Sequence, residues 1–142
     1  MSVAHFASRR ARLAAGLQLN SVLLVPAAVE ITRSRDTEFA FRQDSDFNYL
    51  TGFPEPDALL ILQKSASGDI TELLLCRPKD ELAEVWQGRR FGPAAAALQF
   101  GLPALCHDVL EQELLLVVAP LELVEHLCWV QQIPLEHLAY LF

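Results

Sequence analysis

The chain has no lysine or arginine after Arg90, and the charged side chains from there to Phe142 are six acids: Asp108, Glu111, Glu113, Glu122, Glu125 and Glu136. With a net charge of -7 over 142 residues, this shortage of basic groups argues against a nucleic-acid binder, since phosphate contacts need a basic footprint. Six glycines form no Gly-x-Gly-x-x-Gly and no phosphate loop, which leaves no recognisable nucleotide cradle. The four histidines, His5, His107, His126 and His137, are scattered, without a His-Glu-x-x-His or Cys-x-x-Cys pattern to hold a metal. Three cysteines, Cys76, Cys106 and Cys128, are odd in number and far apart among apolar neighbours. They read as buried free thiols in a reducing cytoplasm. No long hydrophobic run is present either. Ala58–Leu62 and Leu114–Pro120 are too short to span a bilayer, and no apolar core of a signal peptide follows Met1. A soluble cytoplasmic protein is expected, with neither nucleic acid nor membrane as partner.

What is present suits one domain with a substantial core: 52% of residues are hydrophobic and 20% charged. Phe6–Leu17 alternates apolar and basic positions at helical spacing, with Ser8 as a cap candidate. "SVLLVPAA" (21–28) is a branched apolar strand that Pro26 ends or places at an edge. "ALLILQK" (58–64) and "ITELLLC" (70–76) flank a Ser/Gly/Asp turn and predict a hairpin. "PAAAALQF" (93–100) starts on proline and stops at Gly101, as a helix does. Beyond it, 107–114 reads as a helix, 114–120 as a strand and 121–133 as an amphipathic helix. The expected fold class is α/β, a mixed sheet flanked by helices. The apolar, aromatic ending "IPLEHLAYLF" has no polar tail, and the reading is of a chain truncated within a larger structure.

No complete active site can be assembled from these residues. Cys106-His107-Asp108 holds nucleophile, base and acid types, but adjacent residues do not converge as a triad must. Two segments concentrate polar and aromatic chemistry. In "FRQDSDFNYLTGFPEP" (41–56), Arg42, Asp44 and Asp46, with Asp36 and Glu38 just upstream, could make an acid pair with a clamp arginine. The competing reading is a polar loop and a short helix, capped by Ser45, ended by Gly52 and packed on the sheet by Phe47, Tyr49, Leu50 and Phe53. In "DELAEVWQGRRFG" (80–92), Trp86 is either core or an outward interface anchor beside a Gly-Arg-Arg turn.

These segments carry a resemblance. "TRSRDTEFAFRQDSDFNYLTGFPEPDALLIL" (32–62) contains Arg42-Gln43-x-Ser45-x-Phe47-x-Tyr49-Leu50-Thr51-Gly52-Phe53-x-Glu55-Pro56. "RPKDELAEVWQGRRFGPAAA" (77–96) contains Trp86-x-Gly88-x-Arg90 and Gly92-x-x-x-Ala96, and "FASRRARLAAGL" (6–17) precedes both. Together they resemble the amino-terminal domain of aminopeptidase P, of the creatinase/prolidase "pita-bread" metallopeptidase class. The resemblance is clear over about residues 4–100 and weaker to the end.

It implies a Xaa-Pro aminopeptidase that removes the first residue ahead of proline. Two manganese ions would be held by Asp, Asp, His, Glu and Glu ligands in a carboxy-terminal catalytic domain absent from residues 1–142. This chain would then bind no cofactor and be inactive alone. Its partners would be that catalytic domain, peptide substrates with proline second, and further copies in a dimer or tetramer. By the same resemblance Trp86 reaches a neighbouring subunit's active-site opening, and Asp36 lies near it. Arg42, Tyr49, Gly52, Glu55, Pro56, Gly88 and Arg90 are structural signature, with Arg42 expected to be buried against a carboxylate. The helices after Gly101 would face the catalytic domain or other subunits. The alternative is a stand-alone or pseudo-enzyme module of the same class that binds peptides or proteins; an unrelated α/β domain is the third reading.

Overall fold

A computed structural model describes residues 2–35 and 37–106. Helix α1 (Val3–Ala15) is followed by β1 (Ser21–Pro26), the short strands β2 (Thr32–Ser34) and β3 (Thr37–Glu38), and α2 (Ser45–Thr51). Then come β4 (Leu59–Lys64), β5 (Ile70–Cys76), α3 (Glu81–Gln87), α4 (Gly92–Phe100) and β6 (Ala104–Cys106). The main sheet has the order β1-β4-β5-β6. Its first three strands pair antiparallel and β6 adds in parallel to β5. The fold class is therefore the expected α/β one, with a mixed sheet and flanking helices. The elements read from 107–114, 114–120 and 121–133 lie outside the described residues.

The sheet forms because three apolar runs alternate in register. Leu23 faces Leu62, and Leu60 faces Leu74. These residues share one face with Val25 and Cys76, where Phe47 and Leu50 of α2 and Ala96 and Phe100 of α4 complete the core. The interleaved residues Val22, Ile61, Leu73 and Leu75 form a second buried cluster, as the two-residue period of a strand requires. The hairpin between β4 and β5 closes as expected: Ser65 N–H donates to Asp69 O, and Gly68 takes a positive φ of 92°.

Helix α1 begins earlier than the periodicity indicates. Ser2 occupies its N-cap position and Ser8 lies inside it. At its other end the Lys64 Nζ donates to Ala15 O and Leu17 O, each at 2.9 Å, a cation on the carbonyls that a helix end leaves unpaired. On its inner side Arg10 is buried, with Nε 2.8 Å from Glu72 Oε2 on β5 and Nη1 3.0 Å from Leu50 O at the end of α2. The buried arginine is thus Arg10. Arg42, expected in that role, is exposed on the extended stretch before α2, where it can stay hydrated at no desolvation cost.

Candidate functional site

The "RQDSDFNYLTGFPEP" block is a locked turn between β1 and β4. Gln43 is its hub. Its Oε1 accepts from Ala28 N at 2.8 Å and Asp44 N at 2.9 Å, while Nε2 donates to Phe53 O at 3.1 Å and Glu55 O at 2.7 Å. One amide side chain therefore satisfies backbone groups on three passing segments, and only a glutamine or asparagine has that mixture of donors and acceptors. Gln43 lies within the motif, yet nothing in its residue type alone marks it as a hub. Its position immediately before the cap of α2 is the signal that could have found it.

The cap is Asp44 and not Ser45: Asp44 Oδ1 accepts from Asp46 N at 3.0 Å and Phe47 N at 2.9 Å. A carboxylate there serves both the open amides and the positive end of the helix. Asp44 Oδ1 is thereby committed to the helix start. At the other end Thr51 Oγ1 donates to Phe47 O and accepts from Phe53 N. Gly52 then turns left-handed at φ 67°, and a Cβ there would press into the Phe6 ring of α1. Gly52→Ala is expected to cost about 1–2 kcal/mol for the backbone alone, with Phe6 forced to move as well. A thermal melt that matched the unsubstituted protein would refute this account of the turn.

Glu55 closes the turn onto the second segment. It is buried, and its Oε1 accepts from Phe91 N at 2.6 Å. Its partner is this backbone amide, and Pro56 beside it is buried too. Phe53, Phe91 and Phe100 then meet with ring centroids 5.2–5.9 Å apart, two of the three pairs edge-to-face, the arrangement that aromatic quadrupoles favour. Tyr49, expected to pack α2 onto the sheet, is 52% exposed. Its ring instead lies 4.0 Å beneath the Arg9 guanidinium, which also donates to Tyr49 O.

Helix α3 was not foreseen. Asp80 caps it, with Oδ1 accepting from Leu82 N and Ala83 N. Lys79 Nζ bonds Glu84 Oε1 at 2.8 Å and reaches Arg90 O at 3.3 Å, while Glu84 Oε1 also accepts from Arg90 N at 3.2 Å. The Lys79 hydrogen bond, helped by the Arg90 amide and nearby cationic charge, holds the Glu84 carboxyl below its ordinary range. Gly88 ends the helix at φ 83° and ψ 172°, a region essentially reserved for glycine. The helix is held from beneath while its apolar residues point away. Leu82, Val85 and Trp86 are 81%, 73% and 89% exposed, at spacings that put them on one side of a helix. Of the two readings of Trp86, the outward one is the observed one. Arg90 is half-buried in the turn below, and Asp36 lies outside the described residues. The structure therefore unites Gly52, Glu55, Pro56 and Arg90 around one locked turn, with Gly88 and Trp86 projecting from it, and leaves Arg42 apart.

Among the described residues, no group of three or more His, Cys, Asp or Glu is placed to hold a metal ion. No helix among them is long and apolar enough to cross a membrane. What the arrangement offers is a rigid turn that presents an apolar helix face.

This fold is shared with solved structures of Escherichia coli aminopeptidase P. The form bound to the inhibitor Pro-Leu superposes with a TM-score of 0.77 at 41% identity, covering 83% of this chain and 27% of that one. The zinc-substituted form in complex with product gives the same figures. In sequence, the Xaa-Pro aminopeptidase of Escherichia coli (strain K12) is 42% identical over 122 residues, 85% of this chain and 28% of that protein. The family described as "Aminopeptidase P, N-terminal domain" matches residues 6–120, and the chain belongs to it. It spans about a quarter of the length of these relatives.

Proposed function

We propose that this chain is the amino-terminal, non-catalytic part of a cytoplasmic Xaa-Pro aminopeptidase, an enzyme that cleaves the first residue from peptides with proline second. On this reading residues 1–142 stop short of the catalytic domain, and hydrolysis belongs to that domain of the same polypeptide. Its metal centre, two manganese ions by family resemblance, draws no ligand from the residues described here. The chain's own part is assembly and access. The turn locked by Gln43 and Glu55 holds α3 so that Trp86 meets the substrate opening of a neighbouring copy in a homo-oligomer, with Asp36 a second contributor at that opening.

The observation that carries this reading is the outward apolar face of α3. Three large apolar side chains on a seven-residue helix would lose solvation free energy for nothing unless another surface covered them, and an exposed tryptophan is the residue type most often found as an anchor. A stand-alone peptide-binding module would use the same face, so the two readings separate on turnover. In the protein joined to its catalytic domain, Trp86→Ala is expected to lower kcat/KM for long peptides about 5–30-fold, corresponding to about 1–2 kcal/mol of anchor contact. Tripeptide turnover and the circular dichroism spectrum should be nearly unchanged. Identical kinetics at every substrate length would remove Trp86 from the site.

A further inference from the structure

Cys76 and Cys106 stand opposite one another at the ends of the parallel strands β5 and β6, and both thiols are free. Strand alternation puts Cys76 on the face of Leu74 and Cys106 on the face of Ala104, which is the same helix-covered face. Neighbouring strands run about 4.8 Å apart, within the roughly 4.4–6.8 Å of Cα separation that a disulfide spans. Parallel side chains keep the β-carbons near that same spacing, wider than the roughly 3.8 Å of a relaxed bridge. A bridge here would draw the strand ends together, and strained disulfides are the readily reduced ones.

The two thiols are also unlike each other. Cys76 is fully buried and Cys106 half-buried. Burial foremost, then the Glu55 carboxylate, pushes the Cys76 thiol up to about 12. At neutral pH Cys76 is therefore protonated, and the thiol that meets a solution oxidant first is Cys106. We propose that Cys76 and Cys106 are a redox-reactive dithiol that closes to a reversible cross-strand disulfide when a peroxide reaches the end of β6.

The chemistry balances with hydrogen peroxide as oxidant. The Cys106 sulfur attacks one peroxide oxygen, the O–O bond breaks, and sulfenic acid and one water result. The Cys76 sulfur then attacks the Cys106 sulfur; the S–S bond forms and the S–O bond breaks. The hydroxyl departs with the Cys76 proton as a second water. Two thiols lose two electrons and two protons, and the peroxide gains both. The closed loop would contain α3 and α4, so the bridge would stiffen the segment that presents Trp86.

The test is to expose the protein to stoichiometric hydrogen peroxide, cap remaining thiols with N-ethylmaleimide, and digest with a glutamate-specific protease. Cleavage after Glu72, Glu81, Glu84, Glu111, Glu125 and Glu136 puts the three cysteines on three different peptides. The expected product is peptide 73–81 joined to 85–111, lighter by two hydrogens and restored by dithiothreitol. Cys106→Ser should abolish it, Cys128→Ser should leave it intact, and Cys76→Ser should instead accumulate a dimedone-reactive sulfenic acid at Cys106. Over-oxidation of Cys106 in the unsubstituted protein while Cys76 still takes up maleimide would overturn the proposal. A bridge to Cys128 would do the same. Both outcomes are read on the unsubstituted chain, so they hold even if a variant fails to fold.

Discussion

Phe53→Ala is expected to destabilise the protein by about 3–5 kcal/mol, the range for emptying a fully buried aromatic site. The measurement is a urea titration, read as a lower midpoint with an unchanged slope. Phe53 has no exposed surface. Its ring touches Phe91, on the turn after α3, and Phe100, at the end of α4, and those two rings also meet each other. Removing the Phe53 ring opens a cavity between the turn after α2 and the two ends of α4, and it loosens Phe91, whose amide is the donor to Glu55. The loss should therefore exceed what one apolar side chain contributes by area, and it should disturb the seating of α3. Tyr49→Ala is the control from the same motif. Tyr49 contributes an exposed stacking contact with Arg9, worth about 0.5–1 kcal/mol, so its truncation should shift the midpoint only slightly. Equal costs at the two positions would mean that the aromatic cluster does not organise this turn.

The contrast between Phe53 and Tyr49 also shows what could be read from the residues beforehand. Elements whose signal is local were legible: the β4–β5 hairpin with its Ser-Gly-Asp turn, the strand ending at Pro26, and α4 between Pro93 and Gly101. Elements stabilised by partners far away were not. Strand β6 is three residues long and is held by pairing with β5 across the whole α3–α4 excursion. Among the described residues, strands β2 and β3 pair only with each other and are exposed, so they carry no hydrophobic alternation. Helix α3 does carry Leu82, Val85 and Trp86 at helical spacing, but it is seven residues long, about two turns, too short for periodicity to distinguish from a loop.

The site divides the same way. Gly52 was legible because a left-handed helix end strongly prefers glycine. Asp44 and Ser45 are both good caps, and composition could not choose between neighbours; the hydrogen bonds of Asp44 Oδ1 do. Which arginine is buried depends on which one meets a carboxylate across the fold, and Glu72 is sixty-two positions from Arg10 in the chain.

That ion pair carries the second large effect. Arg10→Ala is expected to cost about 3–5 kcal/mol, as breaking a buried pair by removing one partner does. Arg10 is 1% exposed, and its guanidinium joins three elements: α1 by its own backbone, β5 through Glu72 and the end of α2 through Leu50 O. Truncation would leave a cavity under α1 and a carbonyl without its donor. Glu72 would suffer less, because its side chain keeps 23% of its surface in water and can rehydrate. The effect should therefore lie toward the lower end of that range, and Glu72→Gln, which keeps an acceptor for Arg10, should cost less than Arg10→Ala. The informative variant is the double substitution Arg10→Met with Glu72→Leu, which replaces the pair by apolar volume. If desolvation of the charges nearly offsets their attraction, the double variant will recover much of the loss seen in Arg10→Met alone. Failure to recover would show that the bond to Leu50 O, lost in both variants, is what docks α1 onto the turn, because that is the one contact the apolar pair cannot replace.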